Sequence, residues 1–149
     1  MTSAREIAAA TGPLGYAIAQ VAHTHRLALV SRLGALDLHP GQELIVVDLH
    51  ENPDSTQAEL VKRLGVDQST VAKALARMER AGMVARSRSD TDARVVRSRL
   101  TPRGQGLVEN VLATWSELDR TVAGGLTPEE TTHLVELLDK VRASITEGW

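Results

Sequence analysis

A chain of 149 residues with a net charge of −2, 42% hydrophobic and 24% charged residues has the balance of one compact globular subunit, which excludes a wholly disordered protein. It contains no Cys, so disulfides, thiolate nucleophiles and cysteine-ligated zinc are also excluded. With no Phe, one Tyr and two Trp, the core must be aliphatic, which favours a mainly helical fold.

The chain gives no sign of a membrane segment. Its first ten residues include Arg5 and Glu6 and lack the apolar core of a signal peptide. No run approaches the roughly 18 apolar residues that a membrane span requires. We therefore expect a cytoplasmic protein without a membrane partner.

Two helices are predicted in the first third of the chain. Apolar residues recur at steps of three and four through residues 14–36, which predicts a long amphipathic helix. His39-Pro40 then restarts the chain, because proline suits the first turn of a helix. The second predicted helix ends before Asn52-Pro53.

Two shorter helices follow, separated by a glycine turn. Thr56 and Glu59 have the spacing of a capping box at the start of the third helix, and Gly65 ends it. Asp67 is placed to cap a fourth helix that runs to about Ala81. This arrangement indicates a helix-turn-helix, whose second helix enters the major groove of DNA.

The rest of the chain changes from β to helical periodicity. Short β-prone runs flank a polar tip and predict a hairpin, after which Thr-Pro pairs predict two further helix starts. These elements are hairpin strands at 83–89 and 95–100, a fifth helix at 101–122 and a sixth beginning at 127. The predicted fold class is mainly α with a small β-hairpin.

Positive charge is concentrated in the middle of the chain. Residues 60–104, called the basic segment below, hold eleven basic and four acidic residues, a net of +7, whereas the remainder carries −9. A polyanion is the natural partner for such a segment, although a solvated basic face is the plain alternative.

The residue types on the fourth helix and the hairpin suit DNA. Gln and Arg can read adenine and guanine in the major groove, and an arginine at a hairpin tip can enter a narrow minor groove. The alternatives are an ordinary amphipathic helix and, at the tip, a calcium loop, which lacks the required Gly and Glu. The side chains predicted to contact DNA are Gln68, Ser69, Thr70, Lys73, Arg77 and Arg80 on the helix, and Arg86, Arg88 and Arg94 on the hairpin.

Four stretches together resemble the multiple antibiotic resistance regulator (MarR) family of winged helix-turn-helix transcription factors. They are TQAELVKRLGVDQSTV at 56–71, RMERAGMV at 77–84, DAR at 92–94 and LTPRG at 100–104. The resemblance implies a homodimer on a pseudo-palindromic operator, with repression that a small phenolic or anionic aromatic ligand relieves. It also implies that Asp92 braces the wing. Since the family commonly has Arg where this chain has Ala93, we expect Asp92 to pair with Arg94 or Arg88.

The first, fifth and sixth predicted helices carry apolar stripes that one small winged domain cannot cover. We therefore predict dimerisation helices at 1–38 and 102–149 around a DNA-binding lobe at 39–101, with the wing at about 83–100. The alternative is that these helices pack only within one subunit. A two-fold dimer would place its recognition helices about 34 Å apart, one turn of DNA.

An effector pocket is predicted between the dimer helices and the winged lobe, where the resemblance places it. A His or Arg can hold a carboxylate or phenolate, and a Trp can cover an aromatic ring. The candidates are His25, Arg26, His39 and Trp115. A packed, hydrogen-bonded His25 is the alternative. His23 and His25 diverge on a helix and cannot chelate one metal, so we predict no metal site and no cofactor.

Two other function classes were weighed against a regulator. An enzyme is not indicated, because the sequence has no serine elbow, phosphate loop, HExxH or dinucleotide motif, and the polar cluster Asp48, His50, Glu51 is typical of a helix end. A winged-helix module for protein contacts need not concentrate positive charge on its groove-facing elements. The sequence therefore predicts a DNA-binding transcriptional regulator.

Overall fold

The computed structural model describes residues 1–148 and confirms a mainly helical winged-helix fold with a small sheet. Within those residues the helices are α1 (Ala4–Thr11), α2 (Pro13–Gly34), α3 (Gln42–Glu51), α4 (Gln57–Leu64), α5 (Gln68–Arg80), α6 (Pro102–Gln105), α7 (Val108–Ala123) and α8 (Pro128–Glu147). The strands are β1 (Ser55–Thr56), β2 (Val84–Arg88) and β3 (Val96–Leu100). None of these helices combines the length and apolar character needed to cross a membrane.

The chain divides into two compact units, Met1–Trp115 and Ser116–Trp149. The first unit holds α1 to α6, the sheet and the first half of α7, and the second holds the rest of α7 and α8. The core of the first unit is aliphatic, as the composition requires, and its fully buried side chains come from α2 to α5, β2 and α7. They include Leu33, Ile45, Leu49, Leu60, Leu75, Met78, Met83 and Val111.

The helix boundaries around the helix-turn-helix follow local chemistry. The Thr56 hydroxyl accepts the backbone N–H of Glu59 at 3.3 Å, while the Glu59 carboxylate accepts the N–H of Thr56 at 2.7 Å, which confirms the predicted capping box. Gly65 ends α4 at φ 64°, a left-handed conformation that glycine adopts without steric cost. Asp67 caps α5 as predicted.

The sheet is antiparallel, with β3 in the centre between β1 and β2. Its register pairs Val84 with Leu100 and Arg88 with Val96. The predicted hairpin is therefore confirmed, and residues 84–100 are called the wing below. Strand β1 was not predicted, because two residues are too few to show a β periodicity. It pairs Ser55 with Ser98 and joins the wing to the loop after α3.

The prediction of one continuous fifth helix from residue 101 is wrong. The chain forms the single turn of α6 and then tightens, with the N–H of Leu107 donating to the Gly104 carbonyl three residues back, before α7 begins. Gly104 and Gly106 weaken the helical preference at this point. Gly104 is buried against the Met83 carbonyl, so packing fixes the break. The predicted helical region at 1–38 contains two helices, and the periodicity at 14–36 did not reveal α1 as a separate helix, although Ser3 and Glu6 form its capping box.

Candidate nucleic-acid interface

Helix α5 presents one face to the core and the other to solvent. Val71, Leu75 and Met78 are fully buried on the inner face. The six α5 side chains predicted to contact DNA are all exposed: Gln68, Ser69, Thr70, Lys73, Arg77 and Arg80. The helix therefore offers a polar, basic surface of the size and chemistry that a major groove accepts.

The first turn of α5 is organised by Asp67. Its carboxylate accepts the backbone N–H of Thr70 at 2.9 Å and the hydroxyls of Ser69 at 2.8 Å and Thr70 at 2.5 Å. The hydroxyl and N–H of Thr70, followed by the Ser69 hydroxyl, hold the pKa of Asp67 well below its ordinary value. Because the hydroxyls of Ser69 and Thr70 donate to Asp67, they can only accept further hydrogen bonds. The side-chain amide of Gln68 can still both donate and accept.

Replacing Asp67 with alanine is expected to destabilise the protein most at neutral pH. Because the folded-state pKa is lowered, the carboxylate contributes stability above its ordinary value of 3.8, and this contribution is lost as the pH falls through the folded value. Urea unfolding of both proteins from neutral to acidic pH measures the difference. Asp67→Asn keeps a capping oxygen without the charge and should fall between them at neutral pH. If the difference in unfolding free energy between wild type and Asp67→Ala did not become smaller at acidic pH, the prediction would be wrong.

The two predicted arginines of β2 both have partners. The Arg86 Nε lies 3.0 Å from the Glu79 carboxylate, which links the wing to α5. The Arg88 guanidinium donates to the Ala93 carbonyl at 3.0 Å across the wing tip. Both arginines are exposed and keep further N–H groups available, so the contacts orient them without removing their capacity to bind an anion.

The wing tip is braced through the backbone. The Asp92 carboxylate accepts the N–H of Arg94 at 3.0 Å, and the Asp92 carbonyl accepts the N–H of Val95 at 2.9 Å. The expectation that Asp92 pairs with the side chain of Arg94 or Arg88 is therefore wrong. A short carboxylate reaches the amide two residues ahead more readily than it aligns a long guanidinium, and Arg88 is satisfied by Ala93. The Arg94 guanidinium has no partner within residues 1–148 and is exposed.

The sequence did not predict a second set of contacts, which lie at and near the base of the wing. Arg97 donates to the Asp54 carbonyl at 2.8 Å, and the Arg99 guanidinium lies 2.8 Å from the Asp54 carboxylate. Arg63 binds both carboxylate oxygens of Asp48. Partners more than ten residues apart leave no local pattern. Arg88, Arg97 and Arg99 border an open cleft of about 670 Å³, which is lined also by Asp54, Ala85, Ser87, Ser89, Asp90 and Thr91.

The predicted effector residues are not joined by any contact. Within residues 1–148, no hydrogen bond or ion pair links His25, Arg26, His39 and Trp115; the first three are exposed, and Trp115 is half-buried against the core of the first unit. Burial raises the pKa of the nearby Glu43 carboxyl, opposed by the N–H of Gly41 and by the charge of Arg26. An apolar cavity between α3 and α5 holds only about 50 Å³. The effector site stays a prediction.

The described residues include no group of three or more His, Asp or Glu side chains that could hold a metal ion. Residues 38–96 match the model of the MarR family.

The chain carries a MarR-family domain.

The match begins in the loop before α3 and extends through α5 to the start of β3. It includes three of the four stretches that resemble the family, those at 56–71, 77–84 and 92–94, and ends before the fourth at 100–104. The likeness to solved structures extends further than the domain. A cysteine-to-serine mutant of MarR from E. coli, complexed with operator DNA, is 28% identical; the alignment covers 90% of this chain and 96% of that one, with a TM-score of 0.79.

Two further solved structures show the same fold. BpsR of Bordetella bronchiseptica, whose DNA binding is regulated by 6-hydroxynicotinic acid, is 26% identical, with 87% of this chain and 92% of that chain covered and a TM-score of 0.77. MepR of S. aureus, solved with DNA, is 24% identical, with 88% and 97% covered and a TM-score of 0.79. At that identity MepR supports the fold alone.

Proposed function

We propose that this MarR-family chain is a transcriptional regulator that binds a pseudo-palindromic DNA operator as a homodimer and represses transcription until a small effector releases it. The observation that carries the proposal is the exposed polar and basic face of α5 beside a wing with Arg86, Arg88 and Arg94. The DNA complex of the related E. coli protein supports it. We infer no enzymatic activity and place its action in the cytoplasm.

The roles of the interface residues follow from their chemistry and position. Gln68 and Arg77 have the donors and acceptors for adenine and guanine, while Lys73 and Arg80 suit phosphates. Arg94, exposed at the tip and held by its backbone, is the candidate for the minor groove. The basic segment supplies the electrostatic attraction, its net charge being +7.

Dimerisation is supported by the apolar side chains that the two chain ends leave exposed. Helices α1 and α8 contain no buried residue. Exposed aliphatic side chains on α1, α2 and α8 include Ile7, Leu14, Val21, Leu134, Val135, Leu137, Leu138 and Ile145. Such surfaces are usually covered in solution, which supports dimerisation regions at 1–38 and 102–149 around the lobe at 39–101.

An aromatic carboxylate or phenolic compound is the proposed effector class. The related BpsR responds to 6-hydroxynicotinic acid, a hydroxylated aromatic acid. In this chain His25, Arg26 and His39 could hold the anionic group and Trp115 the ring. No cofactor is proposed.

The function is tested by selecting duplexes from a random library and measuring their binding by fluorescence anisotropy at several salt concentrations. We expect an enriched palindromic sequence, affinity that falls steeply with salt, and a dimer mass by light scattering. A monomer that ignores every duplex at low salt would overturn the proposal. Capture of a partner protein in its place would indicate a protein-interaction module.

Replacing Arg77 with alanine is expected to weaken discrimination between the selected and a scrambled duplex by roughly 1–3 kcal/mol, because a base-reading contact is lost. Arg120→Ala removes one exposed positive charge outside the basic segment and should leave discrimination unchanged. If Arg77→Ala weakens both duplexes equally, Arg77 contacts only phosphate.

A further inference from the structure

Asp54 binds two arginines of the central strand, β3. Its carbonyl accepts a hydrogen bond from Arg97 at 2.8 Å, and its Oδ1 oxygen lies 2.8 Å from the Arg99 guanidinium. That oxygen is shielded from solvent and accepts no aligned hydrogen bond, so within the described residues the positive charge of Arg99 is its only compensation. These three residues are called the wing anchor below.

The wing anchor is attached to a well-fixed part of the first unit. Strand β1, which follows Asp54 directly, pairs with β3 at Ser55–Ser98 and Thr56–Arg97. The Ser55 hydroxyl accepts from Arg63, which is itself held by Asp48 of α3. The position of Asp54 is thus set by α3, α4 and the sheet, and the wing is tied to that position.

The backbone conformation of Asp54 contributes to the wing anchor. It has φ 62°, a left-handed conformation that Asp, Asn and Gly tolerate better than other residues. This conformation accompanies the contact of its carbonyl with Arg97 on one side and of its carboxylate with Arg99 on the other. Asparagine can therefore keep the backbone and the Arg97 contact while removing the charge.

The anchored arginines lie on the opposite face of the sheet from Arg86. Cross-strand partners share a face, and the register pairs Arg97 with Ser87 and Arg99 with Ala85. Arg86 and Arg88 alternate with Ala85 and Ser87 along β2, so both side chains start from the other face. The Arg88 side chain reaches the Ala93 carbonyl at the tip and also borders the cleft beside Asp54, whereas Arg86 does not line that cleft.

We propose that Asp54 is a positioning residue for DNA recognition: by holding Arg97 and Arg99 on one face of the wing, it sets the position from which the wing tip with Arg94 meets DNA. The inference rests on the proposed function. It adds a distant acidic residue to an interface otherwise built from cations and polar groups.

The test compares Asp54→Asn with Asp90→Asn. Asp90 borders the same cleft, and its side chain forms no hydrogen bond or ion pair within residues 1–148, so its substitution makes the same change in charge without loosening the anchor. In the DNA-free protein, amide hydrogen exchange in β1 and β3 should accelerate in Asp54→Asn and stay at the wild-type rate in Asp90→Asn.

With DNA, Asp54→Asn should lose about threefold or more of the discrimination between the selected and a scrambled duplex, since a restrained network is broken. Its preference for A·T-rich flanks at the wing should fall. Asp90→Asn should keep the wild-type discrimination.

The outcomes separate this inference from the proposed function. Asp54→Asn and Asp90→Asn that behave alike, while the wild type binds selectively, would overturn the positioning role alone. Equal loss of affinity for every duplex, together with a lowered unfolding midpoint, would show a purely structural role and also overturn it. A wild type that binds no duplex would refute the proposed function and, with it, any role of Asp54 in recognition.

Discussion

Replacing Gly104 with alanine is expected to lower the free energy of unfolding by about 3 kcal/mol, at the upper end for an overpacked site. A Cβ at this position would collide with the Met83 carbonyl and approach Leu100 at 3.1 Å. That carbonyl also accepts the N–H of Thr101 at 3.0 Å, so it cannot retreat without breaking the start of α6. Guanidinium unfolding followed by circular dichroism measures the loss.

Gly15→Ala is the matched control for Gly104→Ala. Gly15 lies in the first turns of α2 with no atom within 4 Å of an added Cβ, and a helical alanine there should be neutral or stabilise by up to about 1 kcal/mol. Similar unfolding midpoints for the two variants would show that the contact between α6 and the Met83 carbonyl is looser than the structure indicates.

Replacing Arg63 with alanine is expected to cost about 3 kcal/mol, because it leaves a largely buried acid without its counter-charge. The Asp48 side chain is only 10% exposed and accepts from the Arg63 Nε at 2.9 Å and from a terminal nitrogen at 2.6 Å. The same guanidinium donates to the Ser55 hydroxyl at 2.7 Å. One side chain thus fastens α4 to α3 and to β1.

Lys62→Ala removes the neighbouring exposed cation of α4 and is expected to change stability by less than about 0.5 kcal/mol. Arg63→Lys keeps the charge but cannot form the two-pronged contact, so its stability should fall between wild type and alanine. A cost for Arg63→Ala no larger than that for Lys62→Ala would assign the pair to the weak class of surface ion pairs.

Local signals predicted most of the fold. The capping box of Thr56 and Glu59, the stop at Gly65 and the cap at Asp67 each act within four residues, so the sequence alone located α4 and α5. The break between α6 and α7 is fixed by a contact between Gly104 and Met83, 21 residues apart, and the two glycines at 104 and 106 do not by themselves reveal that contact. Strand β1 likewise exists only through its pairing with β3.

The candidate interface divides in the same way. Helical periodicity placed Gln68, Lys73 and Arg77 on the exposed face of α5, and the structure finds them exposed. The position of an arginine along a strand does not show whether its guanidinium has a partner in the fold. Arg99 meets Asp54 across 45 residues, a contact that its position in β3 does not reveal.

The backbone contacts that brace the wing tip leave the side chains at positions 93 and 94 free to vary. The Arg88 guanidinium donates to the backbone carbonyl of residue 93, and the Asp92 carboxylate accepts the backbone N–H of residue 94. Because every amino acid supplies the first atom and all but proline the second, side chains at these two positions can be exchanged while the turn keeps its shape. Evolution can therefore change the side chains at the tip of the wing while the backbone of the wing stays the same.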